Sequence, residues 1–290
     1  MSHKKHHSTT PLSQLLRLPP GKVRLAEHDT SATPGFPGKG KADAAKFTAA
    51  ILPELSDLQE RLYASSQADP ENAPKVLIVL QGMDTAGKGG VIRHSIGLVD
   101  PQGVQIRAFK VPTAEERAHH FLWRIRKALP TPGMIGIFDR SHYEDVLVVR
   151  VDGLFPESEW SRRYAEINEF EAELAANGTH LIKCMLNVSY GAQHDRLAAR
   201  LDDPTKHWKF SIDDLDSRAK WPAYAEAYEA ALTLCNSETA PWHIVPADHK
   251  WYRNWAVAEL LREKLESLQL GWPPASYDIS EQKRRLAELS

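Results

Sequence analysis

The sequence predicts a three-layer α/β/α sandwich on a parallel sheet of about five strands, and two observations carry that prediction. Short apolar runs at 76–80, 104–109, 134–138, 181–186 and 242–245 are separated by long helical stretches, and a glycine-rich loop directly follows the first run. Neighbouring parallel strands need a crossover of roughly a dozen residues or more, so strands spaced by helices pair in parallel and bury both faces.

Residues 1–45 mix Pro, Gly, Lys and His without a sustained period, and 34–38 read Pro-Gly-Phe-Pro-Gly. That composition predicts an irregular arm, wrapped on its own domain or on a neighbouring subunit, and leaves 46–290 as one domain. Over 44–64, Phe47, Ile51, Leu55, Leu58 and Leu62 recur every three or four residues, the period of an amphipathic helix leading into the core. Thr113 and Glu116 match a capping box, and Asn177-Gly178 ends a helical run that begins near Glu159.

A chain of 290 residues with 42% hydrophobic content can bury a large core. Lys and Arg number 36 against 38 Asp and Glu, a net charge of −2, so neither nucleic acid nor a membrane surface is an expected partner. A polyanion site must be local. Cys184 and Cys235 lack metal-ligand spacing and suit a reducing compartment; with no apolar leader and no span of about 18 apolar residues, the expected location is the cytoplasm. His3, His6 and His7 read as solvated tail residues.

The loop is Gly82-Met83-Asp84-Thr85-Ala86-Gly87-Lys88-Gly89-Gly90, with a helical segment after it. Strand, glycine loop and helix form a phosphate cradle: backbone N–H groups turn inward around an anion and Lys88 reaches the outer phosphoryl oxygens. Gly82, Thr85, Ala86, Gly87, Gly89 and Gly90 are therefore phosphate-binding candidates, and Arg93 on the helix joins them. The Ser or Thr that usually follows the lysine and holds Mg²⁺ is Gly89 here, so another residue must serve the metal. Asp84 is the candidate, since a carboxylate beside bound phosphates is repelled unless a cation lies between them; its other reading is a turn-stabilising Asx residue.

The run 134–138 ends in Asp139-Arg140-Ser141-His142-Tyr143-Glu144-Asp145. Ligands of open α/β sheets bind at the carboxyl ends of the strands, and an acid ending such a run commonly binds Mg²⁺ or Mn²⁺ with the phosphates. Asp139 is thus a second metal candidate, with a helix N-cap as the alternative, and Arg140 is placed to touch a transferring phosphoryl group. Glu144 and Asp145 are nucleotide-side candidates that, like His142, could equally fix the turn.

After the fourth run, Arg196 and Arg200 lie four residues apart on one helical face, followed by Lys206 and Lys209 and later Arg218 and Lys220, as expected of a helical lid over about 196–222. Arginines closing over phosphates neutralise charge and exclude water; the alternative is a solvated face paired with Asp202 and Asp203. Lys110, Arg117 and Arg124 could extend this basic track.

Together GMDTAGKGG, FLWRIRK at 121–127, FDRSHYEDVLVVRV at 138–151, KHWKF at 206–210 and APWHIVPADHKWYRNW at 240–255 closely resemble the family-2 polyphosphate kinases over roughly residues 20–270. The resemblance implies a P-loop kinase fold, Mg²⁺ dependence, homo-oligomers, and reversible transfer between inorganic polyphosphate and nucleoside mono- and diphosphates. It places Asp84, Lys88, Asp139 and Arg140 at the reacting phosphates. The branch it most resembles often carries Asn where this chain has Asp139. Two rival activities are an ATP-dependent kinase of the same fold and a non-catalytic polyphosphate-binding module; paired acids and a basic lid argue against the second, because simple binding needs neither.

Overall fold

A computed structural model describes residues 10–289, so the His3, His6 and His7 cluster lies outside the described residues. Five parallel strands, β1 (Lys75–Gln81), β2 (Val104–Ala108), β3 (Ile135–Asp139), β4 (Thr179–Asn187) and β5 (Trp242–Pro246), form one sheet in the order β2-β3-β1-β4-β5. Right-handed crossovers then assign the layers. The step from β1 out to β2 carries helix Lys88–His94 on one face, where it packs on Lys250–Ser267, which in turn packs on Lys41–Ala68. The steps from β2 to β3, β4 and β5 run the other way and put Arg163–Ala176 and Trp221–Leu234 on the opposite face.

Central position and composition agree. β1, rich in Val, Ile and Leu, is buried from Val76 to Gln81, as a strand covered on both faces must be. β2 departs from the expectation that all five runs are buried: it is an edge strand paired only with β3, and Ile106, Arg107 and Ala108 are exposed. β5, the other edge, is fully buried because the N-terminal arm covers it. Leu18 N–H donates to the Trp242 carbonyl at 2.8 Å and Arg17 bridges His243 in antiparallel sense. Leu12, Leu16, Leu18, Val23 and Leu25 enter the core, so the arm wraps its own domain and shields an edge that would otherwise template pairing. It is not wholly irregular, since Leu12–Leu16 is a short helix whose Leu12 and Ser13 N–H groups donate to Glu263 at 2.7 and 2.8 Å. Thr113 and Glu116 form the expected capping box.

Beneath the sheet's carboxyl edge, the fully buried Lys183 donates to Glu171 (2.6 Å), to the Tyr143 hydroxyl (2.9 Å) and to the Cys235 carbonyl (2.7 Å). His142 reaches the same Glu171 at 3.2 Å, which commits it to fixing the turn after β3. Burial pushes the Glu171 carboxyl up, but Lys183 and His142 outweigh it and leave it below its ordinary value. With a folded pKa below the unfolded one, the group stabilises above the ordinary carboxylate pKa and loses that contribution as pH falls through the depressed value. Lys183→Met strands a buried carboxylate and is expected to cost about 3–5 kcal/mol in urea unfolding. A loss under about 1 kcal/mol would mean that Glu171 keeps adequate partners without the lysine. Cys184 and Cys235 are buried and free, with burial pushing both thiols up to about 12, so neither supplies a thiolate near neutral pH.

Candidate active site

β1 lies between β3 and β4, and the chain leaves it in the opposite direction from the later strands, so the loop after β1 sits where the sheet order reverses. Gly82, the first loop residue, has φ +153°, and a Cβ there would fall 2.7 Å from the Leu186 carbonyl oxygen. The close approach of loop and β4 therefore requires glycine. Register puts Asp139 beside Leu80, which brings the acid ending β3 next to the start of the loop. Thr85 (φ +62°) and Arg140 (φ +63°) both hold left-handed conformations that cost non-glycine residues energy, one on each side of the site.

Arg140 joins the two acidic segments. Its Nη2 lies 3.1 Å from Asp84 Oδ1 and its Nη1 lies 3.8 Å from Glu144 Oε2. Glu144, with Asp84 and Asp139 behind it, holds the guanidinium above its ordinary pKa. Lys88 Nζ donates to the Gly82 carbonyl at 2.9 Å. Burial and Arg140 push that amine down, against the pull of Asp84, Asp139 and Glu144. Burial likewise raises the Glu144 carboxyl, opposed by Arg140 and Lys88. Three carboxylates thus face two cations before any phosphate arrives.

Phosphates entering that cluster would add negative charge to a site already one cation short, which a divalent cation corrects. Among the described residues no group of three or more His, Cys, Asp or Glu is arranged to hold a metal by itself. This suits Mg²⁺, which usually takes one or two carboxylates and completes its octahedron with phosphate oxygens and water. The Thr85 hydroxyl oxygen is buried without a hydrogen-bond partner, a polar group left for a ligand to satisfy.

Two cavities meet at Arg140, Glu144 and Val148. The smaller lies over Gly82 and Asp84, roofed by Ser217, Trp221 and Tyr224. The larger, about 530 Å³, has an apolar wall that includes Phe109, Phe121, Leu154 and Phe155, with Lys110 and Arg117 among its cations. Its size falls within the roughly 300–1,000 Å³ of small-molecule sites. Asp145 lines it too, but is committed to Arg163 (3.0 Å) and Arg124 (3.5 Å), so its carboxylate braces the turn.

The basic candidates divide. Arg196 donates to the carbonyls of Thr85 (2.9 Å), Ala86 (3.2 Å) and Asp248 (2.9 Å) and also to that of Ala247. It grips the loop backbone, so its guanidinium is not on a free lid face but already engaged with the chain's own carbonyls. Arg200 ties the Lys209 carbonyl (2.8 Å) and Asp214 (3.0 Å) together, bracing the segment expected as a lid. Lys206 pairs with Asp203 at 2.6 Å, Lys209 lies 5.0 Å over the Trp208 ring, and Arg93 is exposed on the last turn of its helix.

Residues 45–270 match the family model described as Polyphosphate kinase 2 (PPK2). The chain belongs to the polyphosphate kinase 2 family. A crystal structure of polyphosphate kinase 2 from Arthrobacter aurescens TC1 is similar with a TM-score of 0.92 and 48% identity, covering 96% of this chain and 97% of that one. An AMP/ADP-polyphosphate phosphotransferase of Meiothermus ruber is 46% identical over 255 residues, 88% of this chain and 93% of its own. An ADP-polyphosphate phosphotransferase of Rhodopseudomonas palustris is 41% identical over 264 residues, 87% of this chain and 89% of its own.

This polyphosphate kinase 2 chain also uses Gln193 and Arg253, which pattern reading passed over, and Arg218, which it placed among the basic residues of the lid. Gln193 Nε2 donates to the Asp84 carbonyl at 3.0 Å, and Arg218 donates to Gln193 Oε1 at 2.8 Å. The loop acid is thereby linked to the segment after β4. Arg253 lies against the loop from the helix Lys250–Ser267.

Proposed function

We propose that this kinase transfers a phosphoryl group between inorganic polyphosphate and AMP or ADP, with GMP and GDP as further acceptors, using Mg²⁺ or Mn²⁺. The observation that carries the reading is the shared wall: Arg140 and Glu144 line both the loop-side cavity and the apolar pocket. A donor phosphate in the loop and an acceptor nucleotide in the pocket meet there. The relatives named for AMP/ADP and ADP phosphotransfer support the acceptor class.

In this reading the loop backbone positions the donor, Lys88 and Arg140 spread the charge of the transferring group, and Asp84 with Asp139 would hold the metal. A metal held there would supply neutralisation of the phosphate charge. Gln193 and Arg196 keep the loop in place while the acceptor changes. No covalent enzyme intermediate is required, because positioning and electrostatics supply the catalysis. Lys250, exposed at the start of the helix Lys250–Ser267, supports a donor track beside the loop: partial desolvation and the neighbouring cations Arg196, Arg253, Lys206 and Arg200 lower its amine, which marks a cluster of positive charge. Lys110 and Arg117, in the large pocket, then serve the nucleotide. A cytoplasmic setting and self-association belong to the same reading, carried by the family resemblance.

The test is a product-resolved panel of AMP, ADP, GMP and GDP with polyphosphate and Mg²⁺, run beside ATP as sole donor. The expected result is nucleoside di- and triphosphate from polyphosphate, with a polyphosphate KM that rises with salt because a polyanion releases counterions on binding. Turnover with ATP alone and none with polyphosphate would move the chain to an ATP-dependent kinase; polyphosphate binding without turnover would make it a binding module.

A further inference from the structure

Arg253 is the charged group of the loop region that the proposed function leaves unused. It is 3% exposed, on the buried face of Lys250–Ser267. Nη1 donates to the Ala86 carbonyl at 2.8 Å, and Nε and Nη2 reach Asn254 Oδ1 at 3.2 and 2.9 Å. Both acceptors are neutral, and among the described residues no carboxylate pairs with this guanidinium. The nearest charged neighbour on the same carbonyl is a second cation, Arg196. Burial, with Arg196 beside it, pushes the Arg253 pKa down to about 9, so the charge persists at neutral pH without compensation.

The loop is shaped around it. A Cβ on Gly87 would lie 1.8 Å from Arg253 Nη1, and one on Gly90 would lie 2.6 Å from Nη2. Gly87 also has φ +109°, a conformation that L side chains rarely adopt. These two glycines, read from the sequence as space for a phosphate, also make space for a guanidinium packed against the loop. A buried unpaired cation is costly and is retained where an anion completes it.

We propose that Arg253 is a positioning residue whose counter-ion is the phosphate chain in the loop: it fixes the Ala86–Gly87 backbone and makes phosphate binding stabilise the folded enzyme. The inference rests on the loop being the polyphosphate-side cradle, as the proposed function holds. It separates two effects that a merely structural arginine would keep together. Without phosphate the charge opposes folding; with phosphate it favours it.

The experiment compares wild type, Arg253→Met and Arg253→Lys by thermal unfolding with and without tripolyphosphate and Mg²⁺, and by polyphosphate kinetics. Ala86 keeps Arg196 as donor when Arg253 is replaced, so Arg253→Met is expected to fold with a ligand-free Tm equal to or above wild type. Its tripolyphosphate-induced rise in Tm should shrink by more than half, and kcat/KM for polyphosphate should fall by at least about tenfold, the scale of a displaced positioning group. Arg253→Lys, which keeps the charge, should recover most of the Tm rise. An equal rise in wild type and Arg253→Met overturns the inference, as does an Arg253→Met protein that is destabilised or unfolded without ligand. If wild type itself gains nothing from tripolyphosphate, the cradle reading has failed instead.

Discussion

Lys88→Met is expected to lower turnover by at least about 10³-fold, the scale on which a charge-stabilising cation acts in phosphoryl transfer. The amine starts the loop helix, and before any phosphate binds it rests on the Gly82 carbonyl at 2.9 Å. A phosphoryl oxygen is a far better partner than a neutral carbonyl, so the interaction strengthens as charge develops, which is what raises a rate instead of merely tightening binding. Burial, with Arg140, holds the lysine below its ordinary pKa. The working form is protonated, so wild-type kcat should fall as pH rises through that depressed value, before a free lysine would titrate. Because burial already disfavours the charged amine in the folded state, replacing it with Met should leave Tm unchanged or higher. Loss of activity with retained stability is therefore the expected signature. A folded Lys88→Met enzyme that keeps more than a tenth of wild-type turnover would remove Lys88 from the chemistry and the loop from the donor site.

The sheet was legible because its signals are local. β1 and β4 are apolar runs long enough to cross a covered sheet, and the glycine loop directly followed β1. What the sequence did not rank was strand position: β2 was grouped with the buried runs although Gln105 and Arg107 interrupt it, and it is an edge strand with β3 as its partner and Ile106, Arg107 and Ala108 facing solvent. Two polar residues in five were the local trace of that edge, while the strand order itself depends on the crossover from β1. The same limit applies to charge. Arg196 and Arg200 have the spacing of a phosphate-facing pair, but spacing cannot tell whether a guanidinium meets a ligand or the chain's own carbonyls. Here it is the carbonyls of Thr85, Ala86 and Asp248, more than 50 residues away in either direction. Arg253 was hidden for the opposite reason, since one arginine in a helix of buried residues gives no pattern. Asp84 and Arg140, whose meeting at 3.1 Å ties the loop to the end of β3, were readable because each closes its own strand-and-loop motif.

Asp84→Asn should raise the Mg²⁺ concentration for half-maximal rate by about tenfold, ~1.4 kcal/mol of lost metal affinity. The chain has Gly89 where a hydroxyl would ordinarily join the metal, so the loop carboxylate has no substitute among its neighbours. Mg²⁺ binds through few protein oxygens and many from phosphate and water, and each carboxylate lost is a large share of the protein's contribution. Asp84 also pairs with Arg140 at 3.1 Å, and the neutral amide releases that guanidinium toward the phosphates. Part of the lost activity should therefore return at saturating Mg²⁺, where kcat recovers more than the half-saturation point does. Asp139→Asn should shift the curve in the same direction but less, because it leaves the loop carboxylate of Asp84 and its pairing with Arg140 in place. The order, Asp84→Asn above Asp139→Asn above wild type, is read from Mg²⁺ titrations at fixed polyphosphate and ADP, with free metal corrected for chelation by both substrates. Curves that coincide for all three proteins would place the metal on the phosphates alone and leave Asp84 as the residue that positions Arg140.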